Sequence, residues 1–260
     1  MTAAAARADG SAPELLDTLA ADRATGALST RSGIFYLAAG HVVHVESAHS
    51  PALGDLLTRS GALAPAGWWE AVERAGSRQR VGRQLVDSGR LTAGALELAH
   101  LGALFDAAYF ALAHDGTALR FRPGVAHWLG AVRPVTVATV LRESYRRRAL
   151  LDRIWPDAAV DTAPLARTPD ADPAVLPPRR GRALALVDGG RTAAQIASAL
   201  AHRTFHTLVE LRRLAAEGLV APAPPVPAPP VHPVPGAGRA DWDEPDTALL
   251  RRLLDALEAL

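Results

Sequence analysis

Histidines are the residues of this chain whose spacing could hold a metal ion. His41 and His44 fall within one β-favouring run, where residues three apart point to opposite faces, so we expect them not to chelate together. His202 and His206 have the i, i+4 spacing that places two imidazoles on one face of a helix. No glutamate lies between these two, and the nearby sequence offers no third ligand. The sequence therefore predicts no metal site.

The residue types for nucleophilic catalysis are present but not in a productive arrangement. Ser47, His49, Ser50 and Asp55 could be drawn as a serine–histidine–aspartate triad, yet no Gly-x-Ser-x-Gly turn presents a nucleophile. The chain has no cysteine, and its 28 basic residues are all arginine, which excludes thiolate nucleophiles and lysine Schiff bases. Gly189-Gly190 lacks the spacing of a Gly-x-Gly-x-x-Gly dinucleotide loop. We therefore expect no catalytic residues, no cofactor and no enzymatic activity.

Length and charge are those of a globular protein. The 260 residues suffice for two domains, and hydrophobic residues make up 49% of them, enough to fill cores. The 28 arginines nearly balance 27 acidic residues, and a net charge of +1 argues against a protein dedicated to wrapping nucleic acid. Residues 1–10 lack the basic and apolar regions of a signal peptide, and no apolar run approaches the roughly 18 residues of a membrane span. We expect a cytoplasmic protein without a membrane partner.

The elements that must position these residues begin with a small α+β unit. Ser11 is a suitable N-cap for the first helix, and glycines at the turns separate the short β-favouring runs that follow. One helix feeding a three-stranded meander needs a further layer to cover it. The pattern predicts helices at 13–21 and 135–154, and strands at 27–30, 33–37, 41–45 and 116–123.

A helix–glycine–helix unit that follows the meander occurs twice. Residues 53–63 align with residues 81–91, with a Leu/Val-Gly pair near the start of each copy. Each copy predicts a short helix that ends at Gly61 or Gly89, because glycine readily adopts the left-handed conformation of a helix C-cap. A second helix follows each copy, at 64–74 and at 92–104, and two copies are too few for a solenoid.

Residues 179–221 predict a winged helix-turn-helix domain. Apolar residues at helical spacing give three short helices, and Gly218-Leu219-Val220 begins a wing strand. The segment from Arg179 to Glu217 is basic, with seven arginines against three acidic residues. Arginine and threonine side chains can reach phosphates and base edges. The predicted DNA contacts lie on the last helix, away from its leucine side: Arg203, Thr204, His206, Thr207 and Arg213.

Proline-rich segments separate the remaining parts of the chain. Residues 156–178 and 222–240 are predicted linkers, the second with the composition of a polyproline helix. Residues 241–260 predict an acidic amphipathic helix whose leucine stripe would pack on a regulatory protein partner, on a second copy in a homodimer, or in a groove of this chain. The stripe comprises Leu249, Leu250, Leu253, Leu254 and Leu257.

Residues 13–154 resemble the PATAN (PatA N-terminal-like) domain. The resemblance is carried by Thr25-Gly26-Ala27-Leu28, by Gly33-Ile34-Phe35-Tyr36-Leu37 and by Val42-Val43-His44-Val45, with a closing helix that includes residues 141–147. It covers about half of the chain and implies a regulatory and interaction module of signalling proteins that is not an enzyme. The winged-helix-like segment after it is also similar to what such proteins carry.

The repeated unit resembles the MshEN-type cyclic-di-GMP-binding motif. Ala52 replaces the motif arginine in the first copy, and Ala75 and Ala103 replace the terminal glutamines, which removes donors to the guanines and phosphates. The resemblance implies a cyclic dinucleotide ligand. Matching residues are Leu53, Gly54, Leu57 and Gly61 in the first copy, and Arg80, Gly82, Leu85 and Gly89 in the second.

These features together predict a two-domain α+β regulator, with a PATAN-like sensing or docking domain at 11–155 and a winged helix at 179–221. DNA-binding transcriptional control is the favoured function. A signalling adaptor that binds proteins through the first domain and the C-terminal helix is one alternative, and a cyclic-di-GMP sensor is another. Salt-dependent DNA binding would distinguish the first function, because phosphate contacts release counterions, and loss of ligand on Arg80→Ala would distinguish the third.

Overall fold

A computed structural model describes residues 6–8, 11–113 and 119–224. Its strands are β1 (Ala6–Ala8), β2 (Gly26–Ser29), β3 (Ile34–Ala38), β4 (His41–Glu46), β5 (Leu119–Pro123), β6 (Val135–Thr136), β7 (Leu165–Arg167) and β8 (Val220–Pro222). The first six form one antiparallel sheet in the order β1-β5-β2-β3-β4-β6. The predicted meander is therefore confirmed as β2, β3 and β4, and β5 closes against β2.

The turn between β3 and β4 follows from two residues in the left-handed region. Ala39 has φ 47° and Gly40 has φ 79°, the backbone of a two-residue type I′ hairpin turn. The Ala39 N–H donates to Thr25 Oγ1 over 3.0 Å, and the Gly40 N–H donates to the Ala24 carbonyl over 2.9 Å. These bonds attach the tip of the hairpin to the segment that precedes β2.

A bulge in β4 changes which of its side chains share a face. Tyr36 lies opposite His44, whereas the next residue of β3 lies opposite Val42, so that Val43 is left as the extra residue. His41 and His44 consequently lie on the same face of the sheet, and the expectation that they point to opposite faces is wrong. The strict alternation on which that expectation depended fails at a bulge.

The helices match the predicted pattern closely. Ser11 caps the first helix, where its Oγ accepts from the Glu14 N–H and the Glu14 carboxylate accepts from the Ser11 N–H. The helices are α1 (Ala12–Ala21), α2 (Leu53–Arg59), α3 (Pro65–Ala75), α4 (Val81–Asp87), α5 (Ala93–Ala111), α6 (Val137–Ile154), α7 (Ala159–Thr162), α8 (Pro178–Ala185), α9 (Ala193–Ala199) and α10 (Thr204–Ala216), with a 3-10 turn at Pro173–Val175. The mixed helix and sheet content agrees with the predicted α+β class.

The duplicated unit folds as two equivalent helix pairs, α2–α3 and α4–α5. Gly61 and Gly89 follow the first helix of each pair with φ of 75° and 69°, which confirms the predicted glycine C-caps. The leucines of the repeat point inward and form the repeat core, which includes Leu53, Leu57, Trp68, Leu85, Leu96 and Leu129.

The segment predicted as the first linker, 156–178, contributes to the core instead. It contains α7 and β7, and β7 pairs with β8, the strand expected to form a wing. Val160 and Leu165 are fully buried with the apolar residues of α8, α9 and α10, a cluster that we call the C-terminal core. Apolar residues at spaced positions within a proline-rich segment were enough to build short packed elements there. The residues up to Ala223 group into one compact unit.

Helix α5 joins all of these packing layers. Leu104 belongs to the sheet core, in which α1, α5 and α6 cover one face of the sheet. Tyr109 and Phe110 belong to the C-terminal core, and Leu96 and Ala103 to the repeat core. A helix segment that is apolar on every side is stable only when it is surrounded, and the part of α5 from Gly102 to Ala111 is largely buried among these three clusters.

In the part of the chain that the structure describes, no helix is long and apolar enough to cross a membrane. The leucine stripe at 249–257, the proline-rich segment from 225 onward and the helix predicted at 241–260 lie outside the described residues.

Candidate functional site

A cavity of about 1040 Å³ lies between the sheet and the first helix pair of the repeat. Strands β3 and β4 and the loop after β4 line one side, and α2, α3 and the loop at 124–134 line the other. Trp68, Trp69 and Trp128 lie in its wall, and Trp68 and Trp128 contact edge to face with ring centroids 5.7 Å apart. Aromatic walls around a few polar groups are typical of small-molecule sites.

The polar groups of the cavity are centred on Glu46, the last residue of β4. Its Oε2 accepts from the Tyr36 hydroxyl over 3.0 Å, and its Oε1 lies 3.0 Å from His127 Nε2. The Leu129 N–H donates to His127 Nδ1 over 3.2 Å, so the proton of the neutral ring is on Nε2 and donates to Glu46. Both carboxylate oxygens are thus held by side chains from other elements.

Two further histidines continue this cluster into the protein. His44 stacks on His127 with centroids 4.1 Å apart and on His100 of α5 with centroids 5.4 Å apart. His100 Nε2 donates to the Val43 carbonyl over 2.9 Å, which satisfies the residue bulged out of the ladder. The Nδ1 atoms of His44 and His100 are buried, and neither has a hydrogen-bond partner among the described residues.

Burial and hydrogen bonds set the charges of the cluster. The hydrogen bond from His127 holds the pKa of Glu46 below its usual range, although partial burial opposes this. Burial, and then the neighbouring His127 and His100, hold the pKa of His44 well below its ordinary value. Burial and the Glu46 carboxylate raise the pKa of Tyr36 to about 12. At neutral pH the cluster therefore presents a carboxylate, a neutral phenol and the neutral imidazole of His44.

The cluster contains a set of atoms close enough to ligate one ion. A ring nitrogen of His44, a ring nitrogen of His127 and a carboxylate oxygen of Glu46 all lie within 4.8 Å of one another. The serine–histidine–aspartate triad, in contrast, is not assembled. Ser47 Oγ donates to the Ser32 carbonyl over 2.7 Å and accepts from the backbone N–H of His49.

Sequence reasoning missed this cluster for two reasons. His127 lies 81 residues from Glu46, in a loop without a recognisable pattern. The bulge at Val43 is not visible in the sequence either. One signal was available, because His44 and Glu46 are polar residues at i, i+2 in a strand that otherwise contains valines after its first residue, and they must share a face.

The residues predicted to contact DNA are mostly occupied within the protein. Thr204 and Thr207 are buried, so they are not available to a duplex. The Arg203 side chain passes over Gly102 of α5 and donates to the Leu98 carbonyl over 2.9 Å. The helical spacing was correct, but the face predicted to be polar and exposed packs on the rest of the molecule.

The other two predicted contacts are exposed on α10. His206 is exposed, and Arg213 is exposed and pairs with Glu210 over 3.3 Å. Their neighbour Arg212, included in the count of basic residues, is fully buried and donates to both carboxylate oxygens of Asp161 at 2.8 Å. The net charge of the segment from Arg179 to Glu217 therefore overstates how much positive charge is exposed on its surface.

The first glycine of each copy of the cyclic-di-GMP-like motif is covered by this chain's own residues. A Cβ at Gly54 would lie 2.5 Å from the Trp68 ring, and a Cβ at Gly82 would lie 2.7 Å from the Val132 side chain. Arg80 is exposed beside a smaller cavity of about 400 Å³. The remaining motif positions form the repeat core or its caps: Leu53, Leu57, Leu85, Gly61 and Gly89.

A buried ion pair links α5 and α6 to the start of α10. Arg147 Nη1 donates to Asp106 Oδ1 over 2.7 Å, and the other carboxylate oxygen accepts from the Phe205 N–H over 3.2 Å. Arg147 also pairs with Glu143 and stacks over the Phe205 ring, 4.4 Å from its centroid. A carboxylate at the N-terminus of a helix stabilises that helix, because the first N–H groups of the helix have no acceptors within it.

Comparisons of this chain with protein-family models, with curated proteins and with solved structures found no match.

Proposed function

We propose that this chain is a non-enzymatic regulatory protein that binds a small ligand in the cavity and reports its presence to the C-terminal helices. In this proposal the first part is a PATAN-like sensing domain and the second a winged-helix-like output module. One observation carries the proposal: α5 contacts both the cavity cluster and the N-terminus of α10. The proposed route therefore runs along α5. His100 stacks on His44 in the cavity cluster, and Asp106, six residues further along, holds the N-terminus of α10.

The contacts along α5 are suited to transmit a small displacement. A ligand that moves His44 would disturb the His100–Val43 hydrogen bond, because the two rings are stacked. Downstream, Gly102 gives the Arg203 side chain room to cross the helix, and Asp106 is fixed by Arg147. Packed helices respond to such changes as rigid elements with discrete arrangements, rather than by continuous deformation.

The polar groups of the cavity support binding rather than catalysis by a nucleophile. Ser47 Oγ uses its proton on a backbone carbonyl, and the Tyr36 hydroxyl donates to Glu46. Both hydroxyls therefore donate to oxygen atoms and not to a histidine ring, the arrangement that activates a serine nucleophile.

The ligand step is tested by tryptophan fluorescence of the full chain. Trp68, Trp69 and Trp128 lie in the cavity wall, so an occupant is expected to change their emission. The probes are cyclic-di-GMP, ATP, palmitate and 8-anilinonaphthalene-1-sulfonate. Trp69→Ala should weaken the binding of a probe that occupies the cavity, and Leu98→Ala, an equally exposed apolar residue that does not line the cavity, should leave it unchanged.

The reporting step is tested by hydrogen–deuterium exchange of residues 204–208 with and without the bound probe. A change in the wild type that is lost in Asp106→Asn, while probe affinity is kept, supports transmission through α5. Asp87→Asn is the matched control, because Asp87 pairs only with Arg83 on the surface of the repeat. An exchange response that survives Asp106→Asn unchanged would contradict the route.

DNA binding is a second candidate output, and α8 rather than α10 supports it. Arg179 and Arg182 are exposed on α8 close to His202, whose pKa is lowered first by partial burial and then by these two cations. His206 of α10 lies near the same group: partial burial is the main cause that lowers its pKa, and Arg203 and Arg179 lower it further, whereas Asp106 raises it. Clustered cations on one surface are the electrostatic feature that attracts phosphates.

Fluorescence anisotropy of a labelled duplex with the full chain at two salt concentrations tests this candidate. We expect salt-dependent binding that is lost in Arg179→Ala/Arg182→Ala and kept in Arg213→Ala, because Arg213 is paired with Glu210. Binding that is lost in Arg213→Ala but kept in Arg179→Ala/Arg182→Ala would instead support the prediction from the sequence that α10 contacts DNA. The absence of binding would leave the adaptor function, in which the output helices or the C-terminal helix bind a protein.

A further inference from the structure

We infer that His44, Glu46 and His127 form a binding site for a divalent transition-metal ion that opens into the cavity. The site is independent of the proposed regulatory function and depends on geometry alone. Among the described residues, one nitrogen of each ring and one carboxylate oxygen lie within 4.8 Å of one another.

The distances are near those that a bound ion requires. Ligand bonds of about 2.1 Å in a tetrahedral site place the ligand atoms about 3.4 Å apart. His127 Nε2 and Glu46 Oε1 are 3.0 Å apart, and every pair within the trio is separated by at most 4.8 Å. The His127–Glu46 pair is already close enough, and the pairs that include His44 must shorten by at most about 1.4 Å, the difference between 4.8 Å and about 3.4 Å, which requires the stacked His44 ring to rotate.

One nitrogen of the trio is buried without a hydrogen-bond partner in the part of the chain that the structure describes. His44 Nδ1 is buried in a side chain only 5% exposed, and it has no hydrogen-bond partner among the described residues. Leaving such a group unsatisfied is costly in a folded protein, which makes each instance informative. A cation next to the imidazole ring and the Glu46 carboxylate would be stabilised by both.

The surrounding residues supply the supports that metal ligands usually have. Tyr36 donates to Glu46 Oε2 and leaves Oε1 to face the histidines. His100 donates to the Val43 carbonyl and so fixes the bulge that places His44 beside the Glu46 side chain. Such outer hydrogen bonds orient ligands, and their loss typically lowers metal affinity about 10-fold to 100-fold.

The donor set selects the class of ion. Two imidazoles and one carboxylate are ligands that Zn²⁺, Co²⁺ and Fe²⁺ accept, whereas an all-oxygen set would favour Mg²⁺ or Ca²⁺. Three protein ligands leave a fourth position, and the cavity is adjacent to all three residues. The ion would therefore offer a Lewis-acidic contact to an anionic or carbonyl group of a cavity ligand.

Metal binding has a specific consequence at His127. In the metal-free state the ring proton is on Nε2, because Nδ1 accepts from the Leu129 N–H. Coordination through Nε2 requires this proton to move to Nδ1, and the Leu129 N–H then loses its acceptor. The ¹H–¹⁵N resonance of Leu129 should shift on metal addition, a readout that binding elsewhere would not produce.

The test is titration of the tag-free, metal-stripped full chain with Zn²⁺ by calorimetry and with Co²⁺ by visible absorption. We expect one ion per chain and a Co²⁺ spectrum of low coordination number. Glu46→Gln and His127→Gln should each weaken binding at least 100-fold, and Tyr36→Phe about 10-fold. Circular dichroism establishes that each variant folds.

Two controls make the result decisive. His41→Gln removes an exposed histidine of the same strand whose ring nitrogen Nδ1 lies 3.2 Å from the Ala39 carbonyl oxygen, and it should bind as the wild type does. His202→Gln/His206→Gln removes the other histidine pair and should also bind normally. Absence of stoichiometric binding of both ions to the wild type, or binding that is lost only with His202 and His206, would overturn the inference.

Discussion

Replacement of Arg212 by methionine should strongly destabilise the protein, because it leaves a buried carboxylate without its cation. Arg212 is fully buried, and its guanidinium donates to both oxygens of Asp161 at 2.8 Å and to the Trp155 carbonyl. Breaking a buried pair by removing one partner costs about 3–5 kcal/mol. Asp161 keeps one donor, the Tyr109 hydroxyl at 2.5 Å, which places the expected loss near the lower limit, about 3 kcal/mol.

Paired variants separate this effect from a simple loss of packing. Asp161→Asn removes the charge while an amide oxygen can still accept from Tyr109. In the double variant with Arg212→Met no buried charge is left unpaired, so the cost should be about 2 kcal/mol less than the sum of the two single losses. Arg213→Met is the matched control, because that residue is exposed and pairs only with Glu210. Its cost should stay below about 1 kcal/mol.

Urea denaturation followed by circular dichroism measures these free energies of unfolding, with the slope compared between variants. For a unit of this size, a loss of about 3 kcal/mol corresponds to a fall in Tm of roughly 6–12 °C. A cost below about 1 kcal/mol for Arg212→Met, or single losses that simply add in the double variant, would refute the reasoning. Either result would mean that the pair is solvated and that the segment 156–178 behaves as a linker after all.

Three further perturbations test the packing and electrostatics of the site. Gly54→Ala should destabilise the protein by about 1–3 kcal/mol in urea denaturation, because the new Cβ would lie 2.5 Å from the Trp68 ring. Gly94→Ala, where a Cβ meets nothing within 4 Å, should instead stabilise by about 0.5–1 kcal/mol in the same assay, and a loss would contradict that. Burial lowers the pKa of His100 to about 4, so the unfolded chain binds the extra proton and, with EDTA present, the unfolding free energy should fall as pH decreases from about 6.5 to about 4. His100→Gln should reduce this slope, and an unchanged slope would contradict the assignment.

Local patterns predicted the elements of this fold because each element depends on neighbouring residues. The Ser11 cap and the C-cap glycines at 61 and 89 act within a few residues of the chain, and all three are where the sequence places them. The meander follows equally from alternation and from the glycine turns. Such features do not require knowledge of what packs against them.

Contacts between residues that are distant in the sequence could not be predicted, and these contacts form the candidate sites. The bulge at Val43 inverts the expected faces of β4, and it depends on a hydrogen bond from His100, 57 residues away. Arg212 is counted as a surface cation in the sequence, although Asp161 neutralises it from a segment that looks like a linker. Net charge and the alternation of polar and apolar residues are properties of one segment. Whether a residue is buried depends instead on other segments, distant in the sequence, that pack against it.

Helix α5 contacts both the cavity cluster, through His100, and the N-terminus of α10, through Asp106. Polar residues on a helix that is otherwise buried are costly unless each has a partner. His100 Nε2 is satisfied by the bulged strand of the cavity, and the Asp106 carboxylate is satisfied by Arg147 and by the N-terminus of α10. That each polar residue contacts one end of the proposed route is the physical reason to look for coupling along α5.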